Sequence, residues 1–210
     1  PVIRINGSST VTGAVMIPYE EEIQKAAGVT LNRLTTSSGR GFQALLDDRA
    51  DLAMVSSRPA TLIERMAAKG RVVDEGSIET YFLGSVDIQF IVPEASPVKG
   101  LTIEQIRSIL TGEVTGWADL GYPELGDIRL ITENPTGGMF ATAEKEILVG
   151  EAINQDFATS LQNGPQVAVV VSQLPNGIGL FSSAIQPELR QGTRVLPVEG
   201  LDVSQSMALI

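Results

Sequence analysis

Apolar and polar positions along the chain follow two alternating rhythms. Short aliphatic or β-branched runs, "VIRI" (2–5), "VTLNRLTT" (29–36) and "ADLAMVSS" (50–57), read as strands. Each is followed by a Ser/Gly turn and a segment with helical spacing. Gly7 to Thr10 forms the turn and cap into a helix from about Val11 to Ala27, interrupted early by Pro18. A second helix covers "GFQALLDD", where Phe42, Leu45 and Leu46 share a face, and a third covers residues 60 to 68 after Arg58-Pro59. The long apolar stretch "TYFLGSVDIQFIVP" (80–93) carries Gly84-Ser85 in its middle, a place for the chain to pass between lobes. Beyond it, Thr102 caps the helix "LTIEQIRSIL" with Gln105 three residues on, and "GWADLG" is a turn. "DIRLIT" (127–132) is a strand and "TGGMFATAEKEILVG" a glycine-opened helix. Three more strands are predicted at "QVAVVVSQ" (166–173), "NGIGLFS" (176–182) and "TRVLPVEG" (193–200), with little chain beyond.

Repeated strand, Ser/Gly turn and helix predicts an α/β layer architecture with mostly parallel sheets. The elements fall into two groups: residues 1–84 with 181–210 as one lobe, and residues 85–180 as the other.

Composition narrows the function classes. Of the 210 residues, 43% are hydrophobic and 19% charged, the balance of a globular chain, and no apolar run reaches the roughly 20 residues of a membrane helix. Lys plus Arg is 15 against 25 Asp plus Glu, a net charge of −10, which argues against a broad nucleic-acid or anionic-membrane surface. An individual anion site needs only local N–H groups and hydroxyls, so it survives that argument. There is no cysteine and no histidine, which removes disulfides, thiolate and histidine metal sites and the Ser-His-Asp and Cys-His triads. No serine in the candidate turns pairs with a lysine motif, so an enzyme is disfavoured. No metal or cofactor is expected. Pro1 leads directly into a strand, and the chain reads as a mature or trimmed form.

Three turns share one grammar: "NGSSTV" (6–11), "TSSGRGF" (36–42) and "NPTGGMF" (134–140). Glycine permits close backbone approach, small hydroxyls donate hydrogen bonds, and each turn opens a helix whose first amides lack partners. Such ends suit a small oxyanion, and in α/β sheets the carboxyl ends of strands are where ligands bind. Taken singly, Ser9, Thr10, Ser38 and Thr136 are explained as helix caps. No G-x-x-x-x-G-K-[ST] occurs, and "SGRGFQA" has Ala44 where a third glycine would complete G-x-G-x-x-G, so nucleotide chemistry loses support. Asp47, Asp48 and Asp51 read as a solvated helix end, and Trp117 as a buried anchor of its turn. Arg40 and Arg58 flank candidate turns, and the sequence leaves open whether they supply charge to an anion or reach into solvent.

The segment "VDIQFIVPEASPVKGLTIEQIRSILTGEVTGWADLG" (86–121) resembles the corresponding block of phosphate-type substrate-binding proteins of ABC transporters. "INGSSTV", "SSGRGFQALLDDRADLAMVSSRP" and "LPNGIGLFS" extend the resemblance over nearly the whole chain. It implies a type II periplasmic-binding-protein fold: two α/β lobes joined by two crossover strands and closing on a small oxyanion. Ligand contacts then fall to Ser9, Thr10 and the backbone of Val11, to Ser38 and Gly41, to Ser57, and to Thr136, Gly137 and Gly138. It implies a monomer, periplasmic or extracellular, that delivers phosphate or a related anion to a membrane ABC permease.

Two positions depart from that pattern. Ser57 stands where phosphate binders carry an aspartate, and Thr132, followed by Glu133, where they carry an arginine. The ligand's identity is therefore left open. Family members also continue past "VLPVEGLDVSQSMALI" with a segment returning to the first lobe, whereas this chain stops at Ile210. That motivates an alternative: a ligand-sensing or interaction domain of a larger envelope protein, with a non-phosphate ligand.

Overall fold

A computed structural model describes residues 1–185 and 187–210, with Gln205 described by its backbone alone. The elements in chain order are β1 (Val2–Gly7), α1 (Ser9–Val11), α2 (Ile17–Ala27), β2 (Thr30–Thr35), α3 (Ser38–Leu46), β3 (Leu52–Val55), α4 (Pro59–Ala68) and β4 (Tyr81–Pro93). Then come β5 (Leu101–Thr102), α5 (Ile103–Thr111), β6 (Arg129–Glu133), α6 (Gly138–Thr142), β7 (Thr159–Leu161) and α7 (Gly164–Gln173). The chain closes with β8 (Gly177–Ser182), β9 (Thr193–Leu196), β10 (Val198–Glu199) and β11 (Ser204–Leu209).

Contacts divide the chain into two compact units. The first holds Pro1–Val86, Thr136–Gly138 and Gln205–Ile210, and the second Asp87–Pro135 and Met139–Ser204. In the first unit β1 lies parallel between β2 and β3, and β11 pairs antiparallel with β3 through Ala208↔Val55. Phe42, Leu62 and Met66 from α3 and α4 pack with Ala53, Val55, Ala208 and Ile210. In the second unit β6 runs parallel to β7 and β8, while β4 takes β8 and β9 antiparallel. Its larger core gathers Phe90, Ile106, Ile109, Trp117, Leu130 and Phe140. The mixed α/β, mostly parallel architecture is the one the sequence pattern predicts.

Three elements differ from expectation for identifiable reasons. Residues 166–173 form a helix, not a strand. Asn163 accepts from the Gln166 amide at 3.1 Å, Pro165 sits in the first turn, and the buried positions Val167, Ala168 and Val171 recur at helical spacing. The β-branched run there supplies one helix face, while Val169 is 55% exposed. Pro18 does not break its helix: a π-turn over Thr12–Met16 precedes it, so the ring falls at the start of α2, where its missing N–H does no harm. "TRVLPVEG" splits at Pro197, which has no N–H for a ladder, into β9 on β4 and β10 on β5.

The chain's return also lies later than expected. Residues 181–204 belong with the second unit because β8 and β9 pair with β4, Phe90 opposing both Leu180 and Leu196. The segment 205–210 rejoins the first unit as β11, so "SQSMAL" is itself a returning strand.

Candidate functional site

The site begins with strand register. Gly7 opposes Thr35 on β2 and Met54 on β3, so three parallel strands end at one level. Their turns, Ser8–Thr10, Thr36–Ser38 and Ser56–Arg58, open from that edge of the first unit, and Thr136–Gly138 belongs to the same unit.

The first two helix starts are capped earlier in the chain than the sequence suggests. Ser8 is the cap of the helical run beginning at Ser9, its Oγ accepting from the Val11 amide at 3.3 Å. Ser37 caps α3, accepting from the Arg40 amide at 3.4 Å. Thr10 and Ser38 therefore sit inside the first turns, buried, with their hydroxyls released from capping. The Ser38 hydroxyl instead joins Ser56, accepting from the Ser56 amide at 3.0 Å with the two Oγ atoms 3.2 Å apart. Ser8 Oγ donates to Ser56 Oγ at 2.8 Å.

The third turn meets the second. Ser37 Oγ and Thr136 Oγ1 are 2.9 Å apart, and the Thr136 carbonyl lies over Gly39, 3.5 Å from where a Cβ would be. Gly137 and Gly138 are buried. Gly138 rests directly on Ser56: a Cβ there would lie 2.5 Å from the Ser56 carbonyl oxygen. Gly41 packs the same way against β1, its absent Cβ falling 2.5 Å from the Asn6 carbonyl oxygen. Helix-on-strand and turn-on-strand packing thus demand glycine at both positions without invoking a ligand.

Ser57 is 5% exposed, and its Oγ has no hydrogen-bond partner. Val11 is fully buried, and Ser9 half-buried. Arg40 and Arg58 are exposed. Charge elsewhere in the unit is paired at the surface. The Arg4 guanidinium holds Asp51 down at about 2, and Arg71 and then Arg49 lower Asp47. Among the described residues no group of three His, Cys, Asp or Glu is placed to hold a metal.

Two open cavities, of about 300 and 400 Å³, lie in the second unit, one lined by Asp87, Gln89 and Asp202 and the other by Leu161, Pro165 and Val169. Neither contains a turn residue, so the hydroxyl cluster stands on its hydrogen bonds and its buried orphan.

Ser8, Ser37 and Ser56 escape the sequence reading. Cap arithmetic finds the first two: a cap accepts from the amide two or three positions on, and each is the first serine after its strand. Nothing local to "MVSSRP" separates Ser56 from Ser57, because their difference is made by partners 18 and 48 residues away.

The sequence profile of the PBP superfamily domain matches residues 1–200. The phosphate-binding protein PstS of Borreliella burgdorferi is 25% identical over 208 aligned positions, covering 94% of this chain and 69% of that protein. A Clostridium perfringens structure with bound phosphate, described as a phosphate ABC transporter substrate-binding protein, superposes with a TM-score of 0.78. It is 19% identical and covers 100% of this chain and 86% of that one. The effector-binding domain of QuiR in complex with shikimate superposes at 0.66, with 13% identity, covering 100% and 85% of the two chains. Both structural likenesses speak to fold. With its profile spanning nearly the entire length, the chain belongs to the PBP superfamily.

Proposed function

We propose that this protein is a non-enzymatic solute-binding protein that captures a small oxyanion, phosphate or a phosphate-like anion, at the serine-lined strand ends of its first unit. It presents that anion to an ABC permease as a monomer on the outer side of the cytoplasmic membrane. One observation carries the reading: turns 99 residues apart in sequence meet through Ser37 and Thr136, and the turn whose Ser56 packs against both holds the buried, unpartnered Ser57 hydroxyl. A buried orphan hydroxyl costs about 1–3 kcal/mol, so its retention calls for an acceptor supplied from outside. Helix starts at Ser9 and Ser38 add the positive ends of their dipoles. Ser9, Thr10, Val11, Ser38, Ser57, Thr136, Gly137 and Gly138 form the proposed contact set, with Gly41 supporting α3 beneath it. Similarity to phosphate-binding proteins supports the anion and the permease. Among the described residues no helix is long and apolar enough to cross a membrane, in keeping with a partner that supplies the membrane span.

Isothermal titration calorimetry with phosphate, sulfate and small carboxylic acids tests this reading. Heat and a thermal shift with at least one oxyanion are expected, and silence with all of them overturns it.

The fold likeness to the QuiR effector domain, which binds shikimate, favours one second reading: a sensing domain whose ligand is an organic acid. Heat with carboxylates alone selects it.

A further inference from the structure

Three buried serines from three separate turns form a chain, Ser8 Oγ to Ser56 Oγ to Ser38 Oγ, with links of 2.8 and 3.2 Å. A hydroxyl has one proton and accepts two. Ser8 spends its proton on Ser56, and its oxygen takes the Val11 amide. The Ser56–Ser38 link uses one proton of the remaining two. If Ser56 donates, Ser38 Oγ is filled by the Ser56 hydroxyl and amide, and the Ser38 proton is left over. If Ser38 donates, Ser56 Oγ is filled by Ser8 and Ser38, and the Ser56 proton is left over. Either way one O–H lacks an acceptor. Ser57, the next residue, contributes a second.

Among these hydroxyls, acceptors are scarce by the same count. The turns carry no carboxylate, and their only charged side chains, Arg40 and Arg58, are exposed. An unfilled oxygen remains at Ser57, and a neutral hydroxyl is a much weaker acceptor than a carboxylate. A guest with a hydroxyl of its own therefore brings a donor to a place that already has a surplus of donors. With Ser38, Ser56 and Ser57 at 0%, 1% and 5% exposure, that guest also leaves its water behind.

Resting on the anion-binding reading, we infer that the site prefers an oxyanion that only accepts hydrogen bonds, sulfate-like in its chemistry, and that Ser57 is a specificity-determining donor to it. Affinity for phosphate rises with pH as the dianion replaces the monoanion.

The test uses the whole chain, freed of bound ligand by unfolding, dialysis and refolding, and titrated with sodium sulfate, sodium phosphate and sodium acetate at about pH 5.5 and about pH 8.5. Sulfate is expected to bind at least as tightly as phosphate at both pH values. Ser57→Ala, checked for fold by circular dichroism, is expected to weaken sulfate about 5–10-fold. It is also expected to raise the ligand-free melting temperature by about 2–4 °C, because it deletes an orphan. A merely structural serine does the reverse, lowering the melting temperature and leaving affinity alone. Phosphate binding with sulfate more than about 10-fold weaker overturns the preference and leaves the anion-binding reading intact. Silence with every anion overturns both.

Discussion

Ser37 and Thr136 touch, hydroxyl to hydroxyl at 2.9 Å, although 99 residues separate them. Ser37 has already used an acceptor site on the Arg40 amide, so this contact fastens the 136–138 turn to the start of α3. A double-mutant cycle with Ser37→Ala and Thr136→Val measures it. We expect a coupling of about 0.5–1.5 kcal/mol in urea unfolding, the usual range for one neutral hydrogen bond. Thr136→Val is also expected to weaken anion binding by about 1 kcal/mol, read by calorimetry. Strict additivity of the two substitutions, together with unchanged affinity, relocates the site.

The second unit has its own probe in Trp117, the only tryptophan of the chain. Its ring is 1% exposed, its Nε1 donates to the Asn176 carbonyl at 2.9 Å, and Tyr122 stands edge-on with centroids 6.2 Å apart. Trp117→Phe removes the donor and shrinks the ring, leaving that carbonyl with the Arg129 amide. We expect a loss of about 1–2 kcal/mol in urea unfolding followed by circular dichroism. In the unsubstituted protein, tryptophan fluorescence reports the unfolding of this unit. A variant as stable as the parent removes Trp117 as the anchor of its turn.

Acid stability has a local signature in the first unit. Asp51 receives the Arg4 guanidinium at 2.7 Å and the Arg4 amide at 2.7 Å, and its carboxyl is lowered from 3.8 to about 2. A lowered carboxylate stabilises the fold fully above its unfolded value and ceases to do so as pH falls through the folded one. The contribution of Asp51 is therefore complete above 3.8 and fades toward about 2. Asp51→Asn should melt below the parent at neutral pH, with the gap closing across that window. Both side chains are well exposed, 46% and 38%, so added salt should narrow the gap as well. A gap constant with pH and salt rules out the ion pair as its source.

The sequence exposes the architecture wherever local chemistry and long-range packing agree. Thr102 and Gln105 form the reciprocal cap that their spacing predicts, because both partners lie within one turn. "QVAVVVSQ" misleads because β-branching is a weak preference, which Asn163 capping and a buried 167/168/171 face override. The closing strand is hidden for another reason: "SQSMAL" acquires its role only by lying against β3, more than a hundred residues upstream. The site divides along the same line. Hydroxyl-glycine turns after strands mark where the helix starts lie, but which serine caps, which relays and which stays orphaned depends on contacts such as Ser8 to Ser56. Gly41 teaches a related lesson, since close approach to a ligand and close approach to a neighbouring strand leave one mark in the sequence.

Gly41 and Gly13 separate packing from propensity in a single experiment. A Cβ on Gly41 meets Asn6 O and Gly7 Cα at 2.5 Å, both backbone atoms of a strand fixed on either side, so α3 must lift to accept it. Gly41→Ala should destabilise the protein by about 1–3 kcal/mol by chemical denaturation, the range for overpacking a rigid contact. Gly13, in the π-turn before α2, has nothing within 4 Å of its Cβ position. There alanine adds helix propensity without a clash, and Gly13→Ala should be neutral or stabilising by up to about 1 kcal/mol. Because α3 carries Ser37 and Ser38, its displacement in Gly41→Ala should also weaken anion binding, whereas Gly13→Ala should leave affinity unchanged. If Gly41→Ala costs affinity but no stability, the glycine serves the ligand directly instead of the strand beneath it.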